Sequence, residues 1–225
     1  MFHLRGLYSR IYWKICKPTL FSVITLLLVI PCLLFFPERY AWENGVIENI
    51  QLFIIVLCFV LALNAKNDKS LFRWVTLVCI ILFLREINCG RIFFPSKYQI
   101  PNMSPTFMKW SEILPERYSM IPNIIYGMLM IGSVVYLFCT NAFRRLLDIV
   151  INGKIDGINF ACLFIGIGIG ILSENRLHNE MLEEMMETLF YVSFTVIVYV
   201  YGYGKEYCLQ DTNLYDKNNL GKNTR

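Results

Sequence analysis

Apolar residues in this chain fall in blocks, and the blocks are close to the length that crosses a lipid bilayer. A spanning helix needs about 20 residues to cover roughly 30 Å of hydrocarbon. The blocks lie at about 18–37, 46–65, from Leu71 onward, 121–140, 157–173 and 182–203. Of the 225 residues, 56% are hydrophobic and only 17% are charged, where a soluble domain carries about a quarter charged residues. Mean hydropathy is +0.49. These features predict an all-α fold: a polytopic transmembrane helical bundle of about six spans. The expected organisation is a basic cytoplasmic N-terminus (1–17), a membrane domain (18–204) and a polar, disordered cytoplasmic tail (205–225). The net charge of +4 is small and the basic residues sit at span ends, which argues against a nucleic-acid partner and for membrane lipid.

The third block constrains the chain most sharply. Its uninterrupted run, Trp74 to Leu84, is 11 residues long and stops at Arg85 and Glu86. At 1.5 Å per residue such a run cannot cross a bilayer. The helix is therefore expected to continue through its charges towards Phe94. The sixth block has the same defect: the non-ionisable run Thr188 to Gly204 has to recruit Glu187, and then Glu183 and Glu184. The second needs Glu48 and Gln51 near its start. Three helices thus carry ionisable groups to a similar depth. Isolated charges there cost about 2.5–3.5 kcal/mol each on insertion scales, so they are expected to face the bundle and pair.

The side of the membrane follows from Lys and Arg. Arg5, Arg10, Lys14 and Lys17 precede an apolar run from Leu20 to Phe36. This resembles a signal peptide, but PERYAWE follows in place of a small-x-small cleavage site, so an uncleaved first span is expected. With the N-terminus inside, 14 of the 21 Lys and Arg residues fall on the cytoplasmic side. The bias places both termini in the cytoplasm of a cell (inner) membrane protein. Eleven of the 17 acidic residues, all Glu, then lie outside. Between the third and fourth spans runs a connection of about 30 residues rich in Phe, Tyr, Trp and Met. In it, SPTFMKWSEIL offers Ser104 as an N-cap and Pro105 at the first helical position, predicting a short interfacial helix. Cys32, Cys58, Cys79, Cys139 and Cys162 lie within apolar runs and no CxxC occurs, so they read as packing residues. The segment GIGIG (166–170) lies mid-span with no preceding strand. It reads as a close-packing face, not a nucleotide loop.

Helical spacing selects the candidate site. Asn44, Glu48 and Gln51 are spaced i, i+4, i+7, and Glu180, Glu183, Glu184 and Glu187 form one acidic stripe. Glu174 and His178 would pair at i, i+4 in a helical connection. Together Glu43, Glu48, Arg85, Glu86, Arg91, Glu183, Glu184, Glu187 and His178 predict a polar site open to the outer face. Simpler readings stand beside each member. The stripe can be a solvated helix start, Glu48 a helix cap, Arg85 and Glu86 a helix lock, and His178 a surface residue.

The order WENGVIENIQ, LREINCGR, LEEMMETL resembles a set of uncharacterised bacterial multi-spanning inner-membrane proteins. They carry an E-N or E-D opening before a span, L-R-E closing another and E-E-x-x-E near the end. The resemblance implies an integral inner-membrane protein and brings no activity with it. Trp42, Glu43 and Glu48 are faintly similar to the ceramidase-like membrane hydrolases. That family implies a zinc site with a His-x-x-x-His pair, but here Leu182 stands four residues after His178, so the zinc is not carried over and the metal and cofactor stay unassigned. Three classes of function follow. The first is an enzyme on a lipid or lipid-linked substrate, with Arg85 and Arg91 holding an anionic head group and one of Glu183, Glu184 and Glu187 as general base. The second is an ion-coupled carrier. The third is a structural or assembly component locked by ion pairs.

Overall fold

The computed structural model describes residues 11–13, 16–96, 105–152 and 155–203. Arg5, Arg10, Lys14, Ser104 and the tail from 205 onward lie outside these residues. The fold is helical. Its main helices are α1 (Thr19–Phe35), α2 (Val46–Asn64), α3 (Lys69–Glu86), α4 (Ile121–Cys139), α5 (Ala142–Asn152), α6 (Gly157–Leu172) and α7 (Glu180–Tyr203). A two-residue parallel pairing joins Ile11–Tyr12 to Ile155–Asp156. Among the described residues, four helical stretches are long and apolar enough to cross a membrane: Val46–Asn64, Glu116–Cys139, Gly157–Leu177 and Glu180–Tyr203.

α7 is the axis of the packing. It lies against α1, α2 and α6, while α3 packs on α2, α4 and α5. Two apolar clusters share α7 as a wall. One joins Val29 and Cys32 of α1 to Cys162 of α6 and to Met181, Met185, Met186 and Leu189. The other joins Ile55, Cys58 and Ala62 of α2 to Phe72, Val75 and Cys79 of α3 and to Tyr191 and Val198. Successive residues on α7 point to different neighbours, and none from Met181 to Tyr203 is exposed. α4 is its opposite. Only Ser133 of α4 is buried, so its apolar surface faces away from the bundle. Cys58, Cys79 and Cys162 are buried in the packing as expected from their apolar runs, while Cys139 is exposed.

Two sequence expectations need correction. α3 does not run on towards Phe94. It ends at Glu86, and Asn88 (φ 48°), Cys89 (φ 54°) and Gly90 (φ 95°) take left-handed backbone before a short 3₁₀ segment to Phe93. Asn and Gly adopt this geometry most readily, and an N-C-G sequence is a natural helix stop. The helix predicted to begin at Pro105 is also displaced. Residues 105–109 are non-helical and the helical turn is Trp110–Ile113. An extended pairing wins over the Pro signal: Pro95 bridges Phe107, and the Met108 N–H donates to the Phe94 carbonyl at 2.9 Å.

The GIGIG segment behaves as its spacing predicts. A Cβ on Gly166 would stand 2.8 Å from the Met186 carbonyl oxygen and 2.9 Å from the Phe190 nitrogen. α6 and α7 therefore touch backbone to backbone at this residue. Gly168 has nothing within 4 Å of the same position. Gly166→Leu should therefore lower the melting temperature of the detergent-solubilised protein, by a loss of roughly 1–3 kcal/mol or more for forced overpacking. Gly168→Leu should leave it nearly unchanged. Equal melting temperatures for the two variants would refute the contact.

Candidate functional site: an acidic cluster among α2, α3 and α7

The starts of α2 and α7 and the end of α3 meet at one end of the bundle. α2 begins after Gly45 and has Glu48 in its first turn. Glu48 accepts a hydrogen bond from the Asn44 backbone N–H, so it serves its own helix start, where a carboxylate also suits the dipole. Asn44 itself stands outside the helix with φ 62°. One turn further, Gln51 is fully buried. Its Nε2 donates to Glu184 Oε2 at 2.8 Å, to the Glu184 carbonyl at 2.9 Å and to Thr188 Oγ1 at 3.2 Å. Those acceptors fix the orientation of the amide, because the reverse orientation would set oxygen against oxygen.

Arg85 and Glu86 do not pair with each other. Successive helix residues point about 100° apart, and the two side chains reach different partners on α7. The Arg85 Nη2 pairs with Glu187 Oε1. Glu86 is buried and accepts from the Tyr191 hydroxyl. Glu48, Glu86, Glu184 and Glu187 all lie within electrostatic reach of one another. Glu183 is half-buried at the rim, where it feels Arg85, Glu174, Glu180 and Glu187.

A second layer surrounds this core. Asn88, released by the left-handed turn after α3, donates through Nδ2 to Glu43. Burial pushes the Glu43 carboxyl up from its ordinary range, with Arg91 pulling it down. Arg91 donates through Nε to the Met108 carbonyl at 3.1 Å, so it braces the long connection. His178 is not brought to the cluster. It is exposed and takes the left-handed position (φ 48°) that ends a π-turn at Ser173–Leu177. No trio of His, Cys, Asp or Glu among the described residues could hold a metal ion.

Gln51 shared a face with Glu48 in the sequence, but its role and that of Tyr191 were not visible there. The signal was present: Glu184, Glu187, Thr188 and Tyr191 continue the acidic stripe at i, i+3, i+4 and i+7. Tyr191 also lines a narrow apolar crevice with Ile55, Cys58, Cys79, Leu82, Phe194 and Thr195, too small to hold a water molecule.

The opposite end of the bundle holds a second network that no charge pattern announced. Asp156 is buried and accepts from Thr19 Oγ1 at 2.7 Å, from Asn159 Nδ2 at 2.7 Å and from the Asn159 N–H at 3.2 Å. Ser22 Oγ donates to Asn159 Oδ1 at 2.6 Å. The pairs Thr19/Ser22 and Asp156/Asn159 each lie at i, i+3, and they tie the starts of α1 and α6 together. No protein-family model, curated protein or solved structure matches the chain.

The Arg85–Glu187 contact should be thermodynamically coupled. Arg85→Ala and Glu187→Gln should each lower the melting temperature. The double variant should lose less than the sum of the two, by about 0.5–3 kcal/mol, as expected for residues in contact. Strict additivity in thermal melts would show that the pair contributes nothing.

Proposed function

We propose that this chain is a six-span protein of the cell (inner) membrane, with both termini cytoplasmic, whose outer-half acidic cluster binds and releases a proton or another small cation. The reading is that of an ion-coupled carrier. One observation carries it: four carboxylates, Glu48, Glu86, Glu184 and Glu187, interact with one another while one guanidinium, Arg85, makes an ion pair among them. A helix lock needs no surplus of like charges. Four ionised carboxylates against a single cation in a medium of low dielectric repel strongly, and the excess has to be neutralised by bound protons or cations.

The six spans add α1 and α3 to the four longer stretches. At 17 and 18 residues they measure about 26–27 Å, close to the thickness of a bilayer core, and each packs along a spanning neighbour. The membrane side rests on the Lys and Arg bias. The resemblance to bacterial inner-membrane proteins agrees with this placement. A second reading, an enzyme on a lipid or lipid-linked substrate, draws on Arg85 alone. Its side chain stays 49% exposed, which leaves donors for an anionic head group at the bundle surface. The helical turn at Trp110–Ile113 would then lie at the interface.

Purified protein in liposomes on a solid support tests the carrier. A jump in pH at fixed salt should give a transient charge displacement, lost in Glu187→Gln and Glu86→Gln. A jump in sodium or potassium at fixed pH tests the other cations. Silence in every arm sinks the carrier reading and leaves the lock.

Topology has its own measurement, on single-cysteine variants. An impermeant maleimide added outside should label Cys89, slowly, because burial pushes its thiol up. Cys139, at the other end of α4, should label only after permeabilisation. The reverse pattern would invert the protein in the membrane.

A further inference from the structure

Gln51 carries an orphan. Its side chain is fully buried, its Nε2 serves three acceptors, and its Oε1 has no hydrogen-bond partner among the described residues. A buried amide oxygen left unsatisfied costs about 1–3 kcal/mol. Its orientation cannot be reversed without placing that oxygen against the Glu184 carbonyl and carboxyl. The missing partner is a donor, and the groups already bonded to this amide are oxygens of Glu184 and Thr188. Glu184 already accepts from this same amide through Oε2 at 2.8 Å, so its carboxyl is in hydrogen-bond contact with the carboxamide. A carboxylic acid and a primary amide are complementary in that arrangement: amide N–H to acid oxygen, acid O–H to amide oxygen.

We propose that Glu184 is the proton-binding carboxyl of the cluster, held as the neutral acid with its O–H donated to Gln51 Oε1. This rests on reading the cluster as an ion-binding site, and it names the ion as a proton. Uptake adds one proton from the outer water to the Glu184 carboxylate and closes the two-bond ring. Release opens it again and leaves Gln51 Oε1 bare. Charged groups meet Glu184 from the helices packed around it. α2 sets Glu48 towards Glu184, α3 sets Glu86, and α7 sets Glu187. Arg85, the nearby cation, is engaged with Glu187, and Tyr191 gives its hydroxyl to Glu86. Glu183 lies at the rim beside Glu187 and Arg85. α1 and α6 bring no charged residue within Thr19–Phe35 or Gly157–Leu172.

Infrared spectroscopy of the full chain in lipid vesicles at neutral pH tests this. The wild type should show a carbonyl stretch of a non-ionised carboxyl that moves on exchange into D₂O. Glu184→Gln should lose that band, and it keeps an amide able to pair with Gln51, so the bundle should fold. Gln51→Leu should keep the band but shift it, because the acid loses its acceptor and donor. No such band in the wild type, or a band unaltered in Glu184→Gln, overturns the proposal. So does a band lost only in Glu48→Gln or Glu86→Gln. Should Glu184→Gln not fold, Gln51→Leu decides alone, and an unshifted band refutes. A pH-jump current with no Glu184 band would keep the carrier and remove this assignment. The band without a current would keep the proton and remove the carrier.

Discussion

Polar side chains in an apolar bundle are costly without partners, and at the acidic end of this protein the partners come from α7. Glu184, Glu187, Thr188 and Tyr191 occupy one face over two turns. Each meets a group on another helix: Gln51 reaches Glu184 and Thr188, Arg85 reaches Glu187, and Glu86 reaches Tyr191. The requirement that buried hydrogen-bonding groups be satisfied therefore sets the rotation of α2 and of α3 about their own axes. Hydrophobic packing alone would leave those rotations loosely specified, since Ile, Leu, Val and Phe on neighbouring faces are nearly interchangeable. The backbone contact at Gly166 sets the other side of α7 against α6 in the same way, by shape instead of polarity.

The parts legible in the sequence are those governed by length and by charge. Block lengths placed α2, α4 and α6 to within about two residues at their ends, because nothing but the apolar run decides them. The short run at Trp74–Leu84 carried more information than the long ones. It required Arg85 and Glu86 to belong to the helix, and they do, as its last two residues. What failed was the continuation beyond them. The stop is a local backbone preference of Asn88, Cys89 and Gly90, and a length argument does not see it. Ser104 and Pro105 misled in the opposite sense, since a start signal counts for little where the flanking chain pairs with residues 94–96.

The neutral polar residues were the harder part. Gln51, Thr188 and Tyr191 have no charge to attract notice, and Thr19, Ser22 and Asn159 sit in blocks that otherwise read as membrane spans. Their spacing was visible but their partners were not, because the contacts join residues more than 100 positions apart. His178 shows the converse. Its rarity in the sequence drew attention, while its actual place is a turn that needs a left-handed residue.

The two ends of the bundle make a physical contrast that bears on lock against site. At one end a single carboxylate, Asp156, receives three hydrogen bonds within a closed set of neutral groups. Such a network holds α1 to α6. At the other end four carboxylates gather about one guanidinium, and a buried amide oxygen lacks a donor. Both networks join helices, so joining helices does not account for the difference. If rigidity were the only requirement, neutral partners like those around Asp156 would serve at the acidic end as well, without the repulsion among Glu48, Glu86, Glu184 and Glu187. Carboxylates in excess of their cations change their total charge when a proton arrives or leaves, and Gln51 and Tyr191, bonded to two of them, are placed to pass that change to α2 and α7.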